Sequence, residues 1–221
     1  MRILAIDGTG PIAVAACVAR PGGEPVILAS IERAIARDAD LLPAGVAACL
    51  PAAGWSARDW DVLACSIGPG SFTGIRVAVA LARGLAMAAG RPVLAVTRFE
   101  AIAAHARGAG ITAPLQVVID GGRGNWYVQD MGSAGTISQP PATMPAIPQE
   151  SGAGMMVGSG PGVTEVESDA TDVARVAAIR LAGGEQPVQG RDLVPLYLRG
   201  ADARADAGRS LLQAAGYAPW R

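Results

Sequence analysis

The chain has 221 residues, 51% of them hydrophobic and 17% charged, with a formal net charge of -1. That length and apolar share mark a globular chain of one large or two small domains with a sizeable core. The balanced charge gives no electrostatic footprint for nucleic acid, and the complete absence of lysine excludes a Walker-type phosphate loop, whose Gly-Lys-Ser/Thr ending requires one.

Three runs, Arg2 to Asp7, Ile12 to Val18 and Pro25 to Ile31, are separated by Gly/Pro turns and predict an antiparallel meander. The chain starts directly with a strand and has no h-region, and Cys17, Cys49 and Cys65 lack metal-ligand spacing. Buried free thiols in a reducing, cytoplasmic compartment are therefore expected. Asp38 is a candidate cap for a helix running to about Leu50, with Leu41, Leu42, Val46 and Cys49 on one face.

Asp61 to Ser66 reads as a buried strand, followed by the turn Ile67-Gly68-Pro69-Gly70 and a helix capped by Ser71 or Thr73 and continuing to Ala89. The turn is either a structural tight turn or a cradle presenting N–H groups to an anion. The helix has only Arg76 and Arg83 as charges, which argues together with its glycines against a membrane span. Val77, Leu81 and Leu85 form a stripe expected to be core. The series Gly74, Ala78, Ala82, Ala86 and Gly90 forms a ridge that another helix would approach closely. A strand at Val93 to Val96 and a short helix at Phe99 to Ala106 close this half.

Leu115 to Gly122 then echoes Arg2 to Thr9: an apolar strand, Asp-Gly, a turn and another apolar strand. The repeat suggests an internal duplication, with halves at 1–110 and 111–221 and the tail packing back on the first half. Gly132 to Gly154 has no periodicity and reads as a loop-rich connection. Met155 to Gly160 is a later Gly-rich turn, and Thr171 or Asp172 is expected to cap a helix through Leu181.

The catalytic inventory is thin. His105 is the single histidine and reads as a surface or capping residue, so no paired-histidine metal site is available and no metal site is expected. Ser71 lies in Gly-Ser-Phe-Thr-Gly, not in the Gly-x-Ser-x-Gly of a nucleophile elbow.

Three strings carry a family likeness. Gly68-Pro69-Gly70-Ser71-Phe72-Thr73-Gly74-Ile75-Arg76, Asp120-Gly121-Gly122-Arg123-Gly124-Asn125-Trp126-Tyr127-Val128 and Pro195-Leu196-Tyr197-Leu198-Arg199 together resemble the signature of the TsaB (YeaZ) family. The chain departs from that family's pattern at Asp7-Gly8-Thr9-Gly10, where Asp-Thr-Ser-Thr is usual, at Asp38-Ala39-Asp40, and at Asn125. The resemblance implies an α/β chain of the actin, sugar-kinase and Hsp70 class (the ASKHA fold), built from two duplicated mixed-sheet halves. It also implies a role in placing the threonylcarbamoyl group on adenosine 37 of transfer RNAs that read codons beginning with A. The chain would be a non-catalytic subunit without a cofactor of its own. It would bind a TsaD homologue, with the ATPase TsaE joining; ATP and metal would belong to those partners or their interface, and tRNA would be met only through the complex.

On this reading the partner surface comprises Leu41, Leu42, Val46, Thr73, Gly74, Ile75, Arg76, Ala78, Val79, Ala82 and Ala86. The chain alone would form a weak homodimer, which Ala78→Arg or Ala82→Glu would abolish with little effect on stability. Degenerate nucleotide or phosphate loops would lie at Asp7, Gly8, Gly70, Ser71, Asp120, Gly121, Gly158 and Gly160. The alternative is a nucleotide-dependent phosphotransferase of the same fold, in which Asp7 and Asp120 hold a metal-nucleotide complex.

Overall fold

A computed structural model describes residues 1–20, 23–33, 41–132, 140–148 and 154–198. The predicted cap Asp38 and the family string's Arg199 lie outside the described residues.

The first half opens with the expected meander, β1 (Arg2–Asp7), β2 (Ile12–Val18) and β3 (Val26–Arg33), the last continuing two residues past Ile31. After α1 (Leu42–Ala52), β4 (Val62–Ser66) pairs in parallel with β1. After α2 (Phe72–Ala89), β5 (Val93–Val96) pairs in parallel with β4. The strand order is β3-β2-β1-β4-β5. Asp61 falls just outside β4, and its carboxylate accepts the Arg2 N–H at 2.8 Å, which pins the strand's start to β1. Leu41 is the residue at the α1 N-terminus, with Pro43 in the first turn, where a missing N–H does no harm.

α3 (Arg98–Gly108) follows; a capping box of Thr97 and Glu100 starts it one residue before Phe99, and it runs two residues past Ala106. The second half repeats the first. β6 (Leu115–Asp120), β7 (Trp126–Met131) and β8 (Ala142–Met144) are antiparallel, while β9 (Met155–Gly158) and β10 (Thr164–Glu165) add in parallel. The order β10-β9-β6-β7-β8, taken from its other edge, is the same third-second-first-fourth-fifth arrangement as in the first sheet. The two Asp-Gly turns thus occupy equivalent positions, at the exit of the central strand of each sheet, and the chain has the duplicated α/β architecture of the actin-like class. β8 is a short strand within the stretch expected to be a loop-rich connection, and β9 joins β10 by five residues with no helix between them. α4 (Ala170–Ala182) is capped by Asp169, not by Thr171 or Asp172. Its carboxylate accepts the N–H of Thr171 at 2.6 Å and of Asp172 at 3.3 Å, and Asp172 reciprocates as the third residue of the box.

The helices are distributed in a way that period alone does not reveal. α1 and α2 cover the outer face of the first sheet, over Leu4, Ile6, Ile12, Val14, Leu63 and Trp60. α4, from the second half, covers the inner face of that same sheet. There Ala5, Ala13, Ala15 and Ala64 leave room for Ala170, Ala174 and Ala177. α3, from the first half, lies instead on the second sheet, with Phe99 and Ile102 against Leu115, Val117 and Ile119. The order of layers is α1/α2, first sheet, α4 with α3, second sheet. Arg180 fastens the middle layer, donating to Glu100 at 3.0 Å and to the Ala95 carbonyl at 2.8 Å, and pairing with Glu185. Residues 188–196 return to the first half: Val188 bridges Val93, Gly190 sits against Ala86 and Leu193 is buried in the outer core.

Candidate functional site

The Gly68 to Gly74 segment joins four parts of the chain. Ile67 N–H donates to Val96, Leu196 N–H to Ile67, Arg98 N–H to Gly68, and Ser71 N–H to Thr9, all at 2.8 to 2.9 Å. Ser71, not Thr73, caps α2 by accepting the Gly74 N–H at 3.2 Å. The glycines here are explained by close approach of backbone. A Cβ on Gly74 would stand 2.0 Å from the Gly8 carbonyl oxygen, and one on Gly70 would stand 2.3 Å from that of Thr9. The Asp-Gly turn after β1 is therefore pressed onto the start of α2, and the structural-turn reading accounts for Gly8, Gly70 and Ser71.

That contact seals Asp7, which is 1% exposed. Its Oδ1 accepts the Thr9 N–H at 2.8 Å and the Thr9 hydroxyl at 2.7 Å. Burial pushes its carboxyl above the usual range, against the lowering effect of those bonds and of Arg98. Asp120, its counterpart, is exposed and accepts the Gly122 N–H at 2.7 Å, while its own N–H donates to Ser159 Oγ at 3.1 Å. The tyrosine ring of Tyr127 lies against Gly121. A Cβ on Gly158 would meet the Val118 carbonyl at 2.0 Å, and one on Gly160 would run into Ile147 and Trp126. Protein atoms thus fill the space beside the later Gly-rich turn. The phosphotransferase alternative needs Asp7 and Asp120 both open to a ligand, and Asp7 is closed. Among the described residues no group of three or more His, Cys, Asp or Glu side chains is placed to hold a metal ion.

On α2 the structure reverses the expected assignment of faces. Gly74, Ile75, Ala78, Val79, Ala82 and Ala86 are buried against the first sheet, the Asp-Gly turn and the returning segment at Gly190, so they do not form an open surface. Small side chains are needed there because the backbone of Gly8 and Gly190 comes so close. Leu42 and Val46 are likewise core residues beneath α1. Of the expected interface residues, Leu41, Thr73 and Arg76 are exposed. Val77, Leu81 and Leu85, expected as core, are only partly buried. α2 is long and apolar enough to cross a membrane by length and composition, but its inner face is spent on the sheet.

What α2 turns outward is Thr73, Ala80, Gly84, Met87 and Ala88, with Arg76 on one rim and Val77 and Leu81 on the other. Beside it α1 turns outward Pro43, Ala44, Ala47, Ala48 and Pro51, and α1 has no charged residue at all. Met87 is 69% exposed and Phe72 48%. The two helices thus present an uncharged, small-residue surface interrupted only by Arg76 and Arg83. One clue to this surface was available in the sequence: eleven residues of α1 without a charge cannot present a polar face.

At the N-terminal edge of that surface Phe72, Arg76 and Tyr197 cluster. The Arg76 guanidinium lies 4.1 Å over the Phe72 ring and its Nε donates to the Tyr197 hydroxyl at 3.2 Å; the two rings are 5.6 Å apart. The Pro-Leu-Tyr-Leu string is thereby tied to the glycine loop, although more than a hundred residues separate them.

His105 lies on the surface, as expected, and is tied there to a buried carboxylate. Its Nδ1 lies 3.0 Å from Asp172 Oδ2, and the same buried carboxylate accepts Arg175 at 2.9 Å through Oδ1, joining α3 to α4. An open groove of about 1120 Å³ runs beside this seam, between Arg107, Arg175 and Arg180. Cys17, Cys49 and Cys65 are free and buried, as expected. Burial pushes the Cys17 thiol up to about 11 and raises those of Cys49 and Cys65 as well.

The family model described as TsaD, tRNA N6-adenosine threonylcarbamoyltransferase, matches residues 32–144, just over half of the chain. The tRNA threonylcarbamoyladenosine biosynthesis protein TsaB of Escherichia coli (strain K12) is 34% identical over 128 residues, which are 58% of this chain and 53% of that protein. The match thus spans about half the length of this curated relative. The structure of YeaZ from Pseudomonas aeruginosa is similar over 89% of this chain and 99% of its own, with a TM-score of 0.75 and 26% identity. A second crystal structure from Pseudomonas aeruginosa, described as having similarity to peptidase YeaZ, covers 90% of this chain and 99% of its own at the same TM-score and identity. The peptidase wording belongs to that protein; in this chain Ser71 is spent on capping α2 and His105 is engaged by Asp172. The chain belongs to the TsaD family of sequences, of which it is a TsaB/YeaZ-type member.

Proposed function

We propose that this chain serves in tRNA threonylcarbamoyladenosine biosynthesis as a non-catalytic subunit. It docks a TsaD-type catalytic protein on the outward face of α1 and α2, and a TsaE-type ATPase joins them. The observation that carries this reading is the two-helix outer face. A globular chain of this size seldom leaves two neighbouring helices with an uncharged, small-residue surface unless another protein covers it. The sealed Asp7 supports a supporting role over catalysis, because the carboxylate that would hold a metal-nucleotide complex in the first half is consumed by Thr9. The small outward side chains of Ala80 and Gly84 suit close approach of a partner's helices.

Calorimetric titration of the chain with the TsaD homologue from the same cell tests this. Binding is expected for the wild type and is lost for Ala80→Arg, which blocks the face without touching the core. Undiminished binding by that variant excludes the face. A companion titration with ATP and magnesium is expected to show no binding by the chain alone; tight binding with turnover would restore the phosphotransferase reading.

A further inference from the structure

The seam between α3 and α4 lies on the other side of the first sheet from the α1/α2 face. There His105 of α3, the chain's single histidine, directs Nδ1 at Asp172 of α4. The Asp172 carboxylate is fully buried and also accepts the Asp169 N–H at 3.1 Å and Arg175 Nη1 at 2.9 Å. A carboxylate only accepts, so Nδ1 carries the proton and Nε2 is left as the basic nitrogen. The imidazole is 48% exposed and lines the open groove of about 1120 Å³. Arg175 gives one nitrogen to the same carboxylate, and its other donors have no partner among the described residues. An acceptor and a donor are thus anchored side by side on the two oxygens of one buried group.

The remaining charges of the groove decide what it suits. Arg180 is consumed by Glu100, Glu185 and the Ala95 carbonyl, and Arg107 is spread over the carbonyls of Ile111, Ala113 and Gly132. Glu24 is exposed at the groove and has no hydrogen-bond or ion-pair partner among the described residues. The free groups are therefore a donor edge on Arg175, an acceptor on His105 and an anion on Glu24, beside a wall of Ala104, Val176 and the 64% exposed Ile179. A purely anionic ligand would leave Glu24 without a counter-charge, and a purely cationic one would leave the Arg175 edge empty. We propose that the groove is a ligand site for a zwitterion with an apolar body, an α-amino acid or a short apolar peptide. Arg175 takes the carboxylate, His105 Nε2 accepts an N–H, Glu24 balances the ammonium, and the side chain lies on Val176 and Ile179. This site does not rest on the docking reading.

His105 gives the only imidazole signals of the chain, so proton-nitrogen correlation spectra of the ring read this site alone. At about pH 8 the free protein is expected to show Nδ1 protonated and Nε2 unprotonated, and the opposite tautomer overturns the proposal. Titration with leucine and with the tripeptide Ala-Leu-Ala should shift the ring signals saturably, with a Kd in the millimolar range for the smaller probe. The tighter of the two assigns the ligand as amino acid or as peptide. N-acetyl-leucine, which lacks the ammonium, and leucine amide, which lacks the carboxylate, should bind at least about tenfold more weakly than leucine. Glu24→Gln should erase the preference for leucine over N-acetyl-leucine. Ile179→Glu, which puts a charge where the apolar body lies, should weaken both probes at least about tenfold. Both positions are exposed, so urea midpoints should stay at the wild-type value. Ala80→Arg, on the far side of the sheet, should leave the titrations unaltered. Absence of a saturable shift with both probes, binding of N-acetyl-leucine equal to that of leucine, or unaltered binding by both groove variants overturns the proposal.

Discussion

Ala78 and Ala80 are two residues apart on α2 and face opposite environments, so arginine at each should have opposite consequences. Ala78 is fully buried where the Asp-Gly turn presses on the helix. An arginine there must either carry a charge into the core or push the turn away, a loss of more than about 4 kcal/mol. The folding free energy of a chain of this size is about 5–15 kcal/mol, so the variant should be close to unfolding. With a urea m-value of about 3 kcal/mol per molar, its midpoint should fall by about 1.3 M or more. Arginine at the exposed Ala80 should change stability by no more than about 0.5 kcal/mol. Urea unfolding followed by far-UV circular dichroism on both proteins measures this directly. Equal midpoints for the two variants, or a larger fall for Ala80→Arg, would refute the assignment of faces. The earlier expectation that Ala78→Arg would spare the fold is thereby replaced by its opposite.

Gly74→Ala should be among the most damaging small substitutions in the chain. Its Cβ would lie 2.0 Å from the Gly8 carbonyl, and the forced retreat of the turn should lower stability by about 3 kcal/mol and Tm by about 6–12 °C. Gly84→Ala meets nothing within 4 Å and should instead raise stability by up to about 1 kcal/mol through helix propensity, as calorimetric scanning would show. For Asp7→Asn the effect should depend on pH. The folded-state pKa of Asp7 is raised, so the protonated form's contribution is complete below the unfolded value near pH 4 and is lost as pH rises through the folded value. Asparagine does not titrate, so the variant's stability relative to wild type should be flat below about pH 4 and should improve above it. A relative stability that falls with pH would contradict the buried-carboxylate account. Burial of the thiols predicts that dithionitrobenzoate at pH 8 finds almost no reactive cysteine in the folded protein, since a pKa of about 11 leaves Cys17 only about one part in a thousand ionised, and finds all three after unfolding.

The strands and helices of the first half were legible because each carried its own signal. The meander was bounded by Gly/Pro turns, α2 had a serine cap and a Gly90 stop, and the Asp-Gly repeat announced the duplication that the matching strand orders now show. The faces of α2 were not legible, since hydrophobicity ranks leucine above alanine and glycine as core. Here the core demanded the smaller residues, because the glycine backbone of Gly8 and Gly190 packs on Ala78 and Ala86. The cap of α4 lies two or three residues before the expected one because Asp169, Thr171 and Asp172 are all good caps in sequence, and only the Asp169 backbone has the extended geometry that caps require. The attachment of Tyr197 to Arg76 and the pairing of His105 with Asp172 are long-range contacts with no local periodicity to disclose them.

The crossing of α3 and α4 to each other's sheets bears on how the molecule holds together. Each half borrows its inner covering from the other, so a fragment ending near residue 110 would leave Ala5, Ala13 and Ala64 facing water, and the remaining fragment would leave Leu115, Val117 and Ile119 bare. Neither piece is a self-sufficient folding unit, and heat or denaturant should melt both sheets in one transition. With the halves interlocked in this way they should move together, and whatever rests on the outer helices should meet a surface whose shape is set before contact.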